Sequence, residues 1–170
     1  MESLLRLGLC GCKSITGNLP SELGLLSRIE VMLVPGIQIY LSHAGLTGTI
    51  PQELFSDGLR ALTLDGNQLS GTISPLVGMS TNLLELSLAD NNLSGTLPEE
   101  ISMLFKLFEL DISGNPLLTG SIPDQLCWSS QYFKLVADCA SGTEQLPNLC
   151  CPAGCCSICC DAETSVCTSP

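Results

Sequence analysis

Chemistry in this chain would have to come from one histidine, His43, from eleven cysteines, or from the 17 carboxylates of its Asp and Glu side chains. A hydrolase triad needs a base held beside a nucleophile. His43 stands before Ala44, and neither a G-x-S-x-G elbow nor a glycine-rich phosphate loop leading into a helix occurs anywhere. Asp111, Ser113 and Asn115 reproduce the first three ligands of a calcium loop, but Pro116 stands where the glycine is required and Ile122 where the glutamate is required, so no calcium site is expected. The adjacent Glu99 and Glu100 open a helical segment, where negative charge meets the positive end of the dipole. The expectation is a non-catalytic protein with no cofactor and no metal.

The cysteines are a different matter. Cys127, Cys139, Cys150, Cys151, Cys155, Cys156, Cys159, Cys160 and Cys167 crowd the last quarter of the chain. So short a segment with few large apolar residues cannot fold on burial alone and needs covalent or metal staples. Cys156-x-x-Cys159, with Cys151 and Cys155, offers four thiolates to zinc, but zinc sites usually pair two such hairpins across roughly a dozen residues, and that spacer is missing. A disulfide-rich cap over residues 127–170 is the expectation. It implies an oxidising compartment, and its connectivity does not follow from spacing.

The elements that position these residues are repeats. Gly17, Gly48, Gly71, Gly95 and Gly120 each sit in an L-x-G-x-I-P phrase, written ITGNLP, LTGTIP, LSGTIS, LSGTLP and LTGSIP, at intervals of 31, 23, 24 and 25 residues. Ahead of each glycine runs L-x-x-L-x-L-x-x-N-x-L, cleanest in Leu59, Leu62, Leu64, Asn67, Leu69 and in Leu83, Leu86, Leu88, Asn91, Leu93. Leu107, Leu110, Ile112, Asn115 and Leu117 repeat it with one extra residue before Gly120. L-x-L puts two side chains on one face of a short strand, and each coil buries its leucines only against its neighbours. The Asn side chain then bonds backbone groups at the bend, so stacked coils build an Asn ladder. Cys12 and Ala44 replace Asn in the first two coils, and Ala44 is expected to leave a backbone group to water.

Over residues 4–126 these phrases resemble plant-type leucine-rich repeats. The resemblance implies a right-handed α/β solenoid of about five coils, with short parallel strands on one side and 3₁₀ or helical segments such as 99–104 on the convex side. IPDQLC, VADC and the CC-rich run are similar to the C-terminal caps of diatom-type leucine-rich-repeat surface proteins, which implies an extracellular or membrane-tethered setting. The expected organisation is a solenoid over residues 1–126 and a cap over residues 127–170. Residues 32–38, MLVPGIQ, form an insertion that is either a bulging loop or a gene-model error. The chain opens with uncapped leucines, has no signal peptide and carries no transmembrane stretch; terminal repeats need a polar cap, so the natural chain is expected to extend upstream, with the signal or anchor segment there.

Without catalysis, function lies in surfaces. Net charge is −11, with a pI of about 4.1, which disfavours nucleic acid and anionic lipid. Strand phase places Tyr40, His43, Asp65, Glu85, Asp90, Glu109 and Asp111 on the concave face, an acidic groove suited to a basic protein, peptide or glycan partner, with Tyr40 as its aromatic anchor. Flanking the repeat glycines, Thr47 and Thr49, Ser70 and Thr72, Ser94 and Thr96 form a hydroxyl ladder. With coils about 4.8 Å apart and alternate residues about 6.6 Å apart, the ladder is regular enough for ice or a crystalline polysaccharide. Asn92-Leu93-Ser94 is a glycosylation sequon. The reading is an extracellular or cell-surface recognition module; the alternatives are a structural or adhesion protein, and the ectodomain fragment of a receptor.

Overall fold

The computed structural model describes residues 6–8, 16–28, 36–127, 134–139, 158–161 and 167–168. Coil follows coil with one plan. The first has β1 (Arg6–Gly8), β2 (Gly17–Asn18) and a 3₁₀ helix at Ser21–Arg28; the second has β3 (Ile37–Tyr40), β4 (Leu46–Thr49) and a 3₁₀ turn at Gln52–Leu54. The third has β5 (Leu59–Thr63), β6 (Gln68–Gly71) and a 3₁₀ helix at Pro75–Met79. In the fourth come β7 (Glu85–Ser87), β8 (Asn92–Thr96) and a 3₁₀ helix at Glu99–Met103. The fifth has β9 (Glu109–Asp111), β10 (Leu117–Thr119) and a single α-turn, α1 (Asp124–Cys127). Three more strands follow: β11 (Lys134–Cys139), β12 (Ile158–Asp161) and β13 (Cys167–Thr168). Strands 1-3-5-7-9-11-12-13 form the concave sheet, and strands 10-8-6-4-2 a second sheet. This is the leucine-rich-repeat solenoid expected from the repeats, with 3₁₀ segments on its outer side.

The core is a stack of the L-x-L positions. Leu7, Ile39, Leu62, Leu86, Leu110 and Leu135 are register partners from strand to strand, and Leu62, Leu64, Leu86, Leu88, Leu110 and Ile112 are wholly removed from solvent. Each contributes about 1.5–3 kcal/mol relative to an exposed side chain. The Asn ladder holds the bends. Asn91 accepts from the Leu69 N–H at 3.0 Å and donates to the Leu64, Leu88 and Ala89 carbonyls at 3.0–3.1 Å. Asn67 likewise accepts from the Ala44 and Leu46 N–H groups, each at 3.0 Å. Each ladder Asn therefore serves the coil before it. The Ala44 amide is not left to water, and the preceding-coil groups that an Asn at 44 would serve lie outside the described residues.

Two local expectations change. Leu118, 2% exposed, takes the core position assigned to Leu117, which is 60% exposed. The extra residue of that repeat thus falls before Leu118, where Asn115–Leu118 closes a turn through the Leu118 N–H and the Asn115 carbonyl at 2.9 Å. Of the stretch 32–38, Ile37 and Gln38 belong to β3, paired with Leu59 and Ala61 across a register shift, while 32–35 lie outside the described residues. The concave sheet also runs past residue 126: β11 pairs in parallel with β9, Lys134 opposite Glu109. Beyond the fifth coil the Asp138 carboxylate accepts from the Gly114 and Asn115 N–H groups at 3.0 and 3.1 Å, the first of them where Gly66 N–H donates to the Ala89 carbonyl.

After β3, β5, β7 and β9 the chain turns through a left-handed residue: His43 (φ 52°), Gly66 (φ 66°), Asp90 (φ 52°) and Gly114 (φ 66°). Large and small alternate here. A Cβ on Gly66 would lie 2.0 Å from the His43 ring, and one on Gly114 2.3 Å from the Asp90 carboxylate. Glycine is required at both for space as well as for backbone conformation.

Candidate binding surfaces

The concave sheet displays its outward residues in rows. One row reads Arg6, Gln38, Ala61, Glu85, Glu109, Lys134 across six strands, and the next reads Gly8, Tyr40, Thr63, Ser87, Asp111, Val136. Tyr40, Asp65, Glu85, Asp90, Glu109 and Asp111 line one shallow depression of about 470 Å³. The structure thus brings together six of the seven concave-face candidates. His43 stands at the margin, its Nε2 3.7 Å from an Asp65 oxygen and its side chain mostly exposed.

Hydroxyls orient the carboxylates. Ser42 Oγ donates to Asp65 at 2.7 Å and Ser87 Oγ to the same oxygen at 3.3 Å, while Ser113 donates to Asp111 through its Oγ at 2.6 Å and its N–H at 3.1 Å. Cations sit at the two ends of the Glu85/Glu109 row. The Arg6 guanidinium lies 4.8 Å from the Tyr40 ring centre, and Lys134 Nζ is 2.6 Å from Glu109. Lys134 falls beyond the last recognisable leucine repeat; the Leu135-x-Ala137 alternation after it is the signal that could have found it.

The field remains negative despite Lys134. Burial first, then the Glu109 and Asp65 charges, push the Glu85 carboxyl above its ordinary value, against the opposing pull of Lys134. Burial also raises Asp111, with Asp90 adding to it and the Ser113 hydrogen bonds and Lys134 opposing. Lys134 is raised chiefly by its hydrogen bond to Glu109 and further by the charges of Glu109, Asp111 and Glu85.

The hydroxyl ladder of the second sheet divides into two columns. The residues before the glycines turn back on the previous coil: Ser70, Ser94 and Thr119 donate to the Gly48, Gly71 and Gly95 carbonyls at 3.1–3.3 Å, and Thr47 to Asn18 Oδ1 at 3.2 Å. Thr49, Thr72 and Thr96, after the glycines, are exposed. Thr49 and Thr72 lay a methyl over the next coil's glycine, 2.9 and 3.0 Å from where a Cβ would stand. Asn92 is exposed at the start of β8, beside the buried Leu93.

Of the cap cysteines, Cys150, Cys151, Cys155 and Cys156 lie outside the described residues. Among the described residues no three His, Cys, Asp or Glu side chains are grouped to hold a metal ion, and no helix is long and apolar enough to cross a membrane.

The Leucine Rich Repeat family model matches residues 82–104 and 106–128. Among solved structures, the chain is similar to a plant peptide hormone receptor, RGFR1 in complex with RGF2, at 34% identity and a TM-score of 0.60 over 72% of this chain and 19% of that one. The BIR3–SERK2 complex from Arabidopsis thaliana matches at 32% identity and a TM-score of 0.58, over 73% of this chain and 60% of that one. A plant ice-binding protein matches at 25% identity and a TM-score of 0.59, over 79% of this chain and 43% of that one. The chain thus spans between about a fifth and three fifths of the chains it matches. No curated protein sequence matches it.

Proposed function

We propose that this chain, built of plant-type leucine-rich repeats, is a non-catalytic recognition module that takes a cationic peptide or protein segment across its concave sheet. The observation that carries the reading is the convergence of Asp65, Glu85, Asp90, Glu109 and Asp111 on one depression, with Lys134 paired to Glu109 at one end of its row. A rigid sheet presents these charges without an ordering cost on binding. The uncompensated carboxylates steer a positive partner and penalise a negative one. Tyr40, already stacked with Arg6, is the aromatic contact at one end. Ser42 donates to Asp65 and His43 lies 3.7 Å from the other oxygen of that carboxylate, so both add polar contact area beside the acidic face. The likeness to a peptide hormone receptor in complex with RGF2 favours a peptide over a glycan as the partner class.

An extracellular or cell-surface setting, a disulfide-rich cap over residues 127–170 and a glycan at Asn92 belong to the same reading, as does the alternative that the chain is part of a receptor ectodomain. Cysteine content and the receptor neighbours support the setting. Three probes test the binding claim: an arginine-rich decapeptide, a glutamate-rich decapeptide and insoluble cellulose. Retention of the first alone supports it, and retention of cellulose alone would transfer the function to the second sheet.

A second reading has its own observation. Thr49, Thr72 and Thr96 form an exposed column on successive coils, Thr49 and Thr72 each with a methyl over the next coil's glycine, and a plant ice-binding protein is among the structural neighbours. Thermal hysteresis at millimolar protein, lost in Thr72→Lys, is the expected result under that reading. No hysteresis at that concentration would end it.

A further inference from the structure

The last two strands of the concave sheet place two cysteines at opposing register positions. β12 joins β11 in parallel, with Ala137 opposite Cys159, Asp138 opposite Cys160 and Cys139 opposite Asp161. β13 then runs antiparallel to β12, placing Thr168 opposite Cys159 and Cys167 opposite Cys160. Directly opposed residues of antiparallel strands have Cα atoms about 4.5–5.5 Å apart, inside the roughly 4.4–6.8 Å range that a disulfide spans. Of the cysteines on described strands, Cys139 is opposed by Asp161 and Cys159 by Thr168 and Ala137. Diagonal neighbours stand about 7–8 Å apart, beyond that range. Spacing alone leaves the pairing open; among the cysteines on described strands the register selects one pair.

We propose that Cys160 and Cys167 form a disulfide that closes the β12–β13 hairpin. The oxidant is a small-molecule or protein disulfide of the secretory route, and the proposal rests on the extracellular reading for that supply. One cysteine thiolate attacks a carrier sulfur, breaking the carrier S–S bond and releasing its first thiol. The second thiolate then attacks the mixed disulfide, forming the Cys160–Cys167 bond and releasing the second thiol. Two electrons pass to the carrier, and the two protons lost by the cysteines end on its thiols. The bond has a consequence for the solenoid. β13 is the outermost described strand of this sheet and reverses the parallel run. Fastened to β12, it holds a short antiparallel edge in place, where a frayed one would leave β12 as an open template for another chain.

The test uses the full chain secreted from a eukaryotic host, alkylated without reduction and then cleaved on the N-terminal side of aspartate. The fragment beginning at Asp161 holds Cys167 as its single cysteine. It should emerge unalkylated and covalently joined to the fragment ending at Cys160, be released by reduction, and show the bond on Cys160 when the joined species is fragmented. In Cys160→Ser, Cys167 should take the alkylating reagent before reduction; in Cys159→Ser it should stay protected. Alkylation of wild-type Cys167, or a bond mapped to another cysteine, would overturn the pairing even if both variants failed to fold. If Cys167 is free while other cysteines are bonded, only the pairing fails. If no cysteine is bonded, the oxidising setting fails with it.

Discussion

Asn91 spends one side chain on four backbone groups, all buried. Its removal takes the side-chain acceptor from the buried Leu69 N–H, while the Leu64 carbonyl keeps the Asn67 amide at 2.7 Å; a buried group left unpaired costs about 1–3 kcal/mol. Asn91→Ala should therefore lower the unfolding free energy by about 3 kcal/mol in urea titration; a loss within about 0.5 kcal/mol would mean the ladder does not hold the bends. Glu85 works the other way. Its raised pKa means that the folded protein holds the proton more tightly than the unfolded chain, so the stability it contributes is full below its ordinary value of 4.5 and is lost as the pH rises through the higher folded value. Glu85→Gln should raise the Tm by about 1–3 °C at pH 7. The gain should vanish as the pH falls towards 4.5, and a gain that persists in acid would show that charge is not its source.

The repeated phrase decides each element because every position has one task. L-x-L fills the core, Asn closes the bend, and a left-handed residue must precede the Asn, which is why His43, Gly66, Asp90 and Gly114 occupy that place. The first two tasks are legible in residue types alone. Others are not. Leu117 and Leu118 are equal candidates for one core site, and the choice depends on where the Asn115 turn closes. Leu118→Ala should cost about 2–5 kcal/mol, and Leu117→Ala less than about 0.5 kcal/mol, on chemical denaturation; equal losses would restore the other register. Lys134 and Asp138 lay hidden because the sixth concave strand reads Leu-Val-Ala, with a carboxylate in place of the usual carbonyl acceptor for the Gly114 N–H. The split of the hydroxyl ladder was equally hidden, since its acceptors are backbone carbonyls that no residue type reveals.

At the scale of the molecule, each coil touches only its neighbours, so the concave face is a rigid series of rows whose chemistry is set one residue per coil. Charge is distributed unevenly along that series. Carboxylates gather on the middle coils, and the cations Arg6 and Lys134 stand on the outer strands of the same row. This polarity favours a partner whose positive groups fall at the centre, and it makes attraction sensitive to salt. The measurement that bears most directly on the central claim is calorimetric titration of an arginine-rich decapeptide into the protein and into its Asp65→Asn, Glu85→Gln, Asp111→Asn triple variant, at low and high salt. Binding to the wild type should weaken with salt, and affinity should be lower by about tenfold or more in a variant that folds normally. Equal affinity for both proteins would contradict that claim and place the binding surface elsewhere on the solenoid.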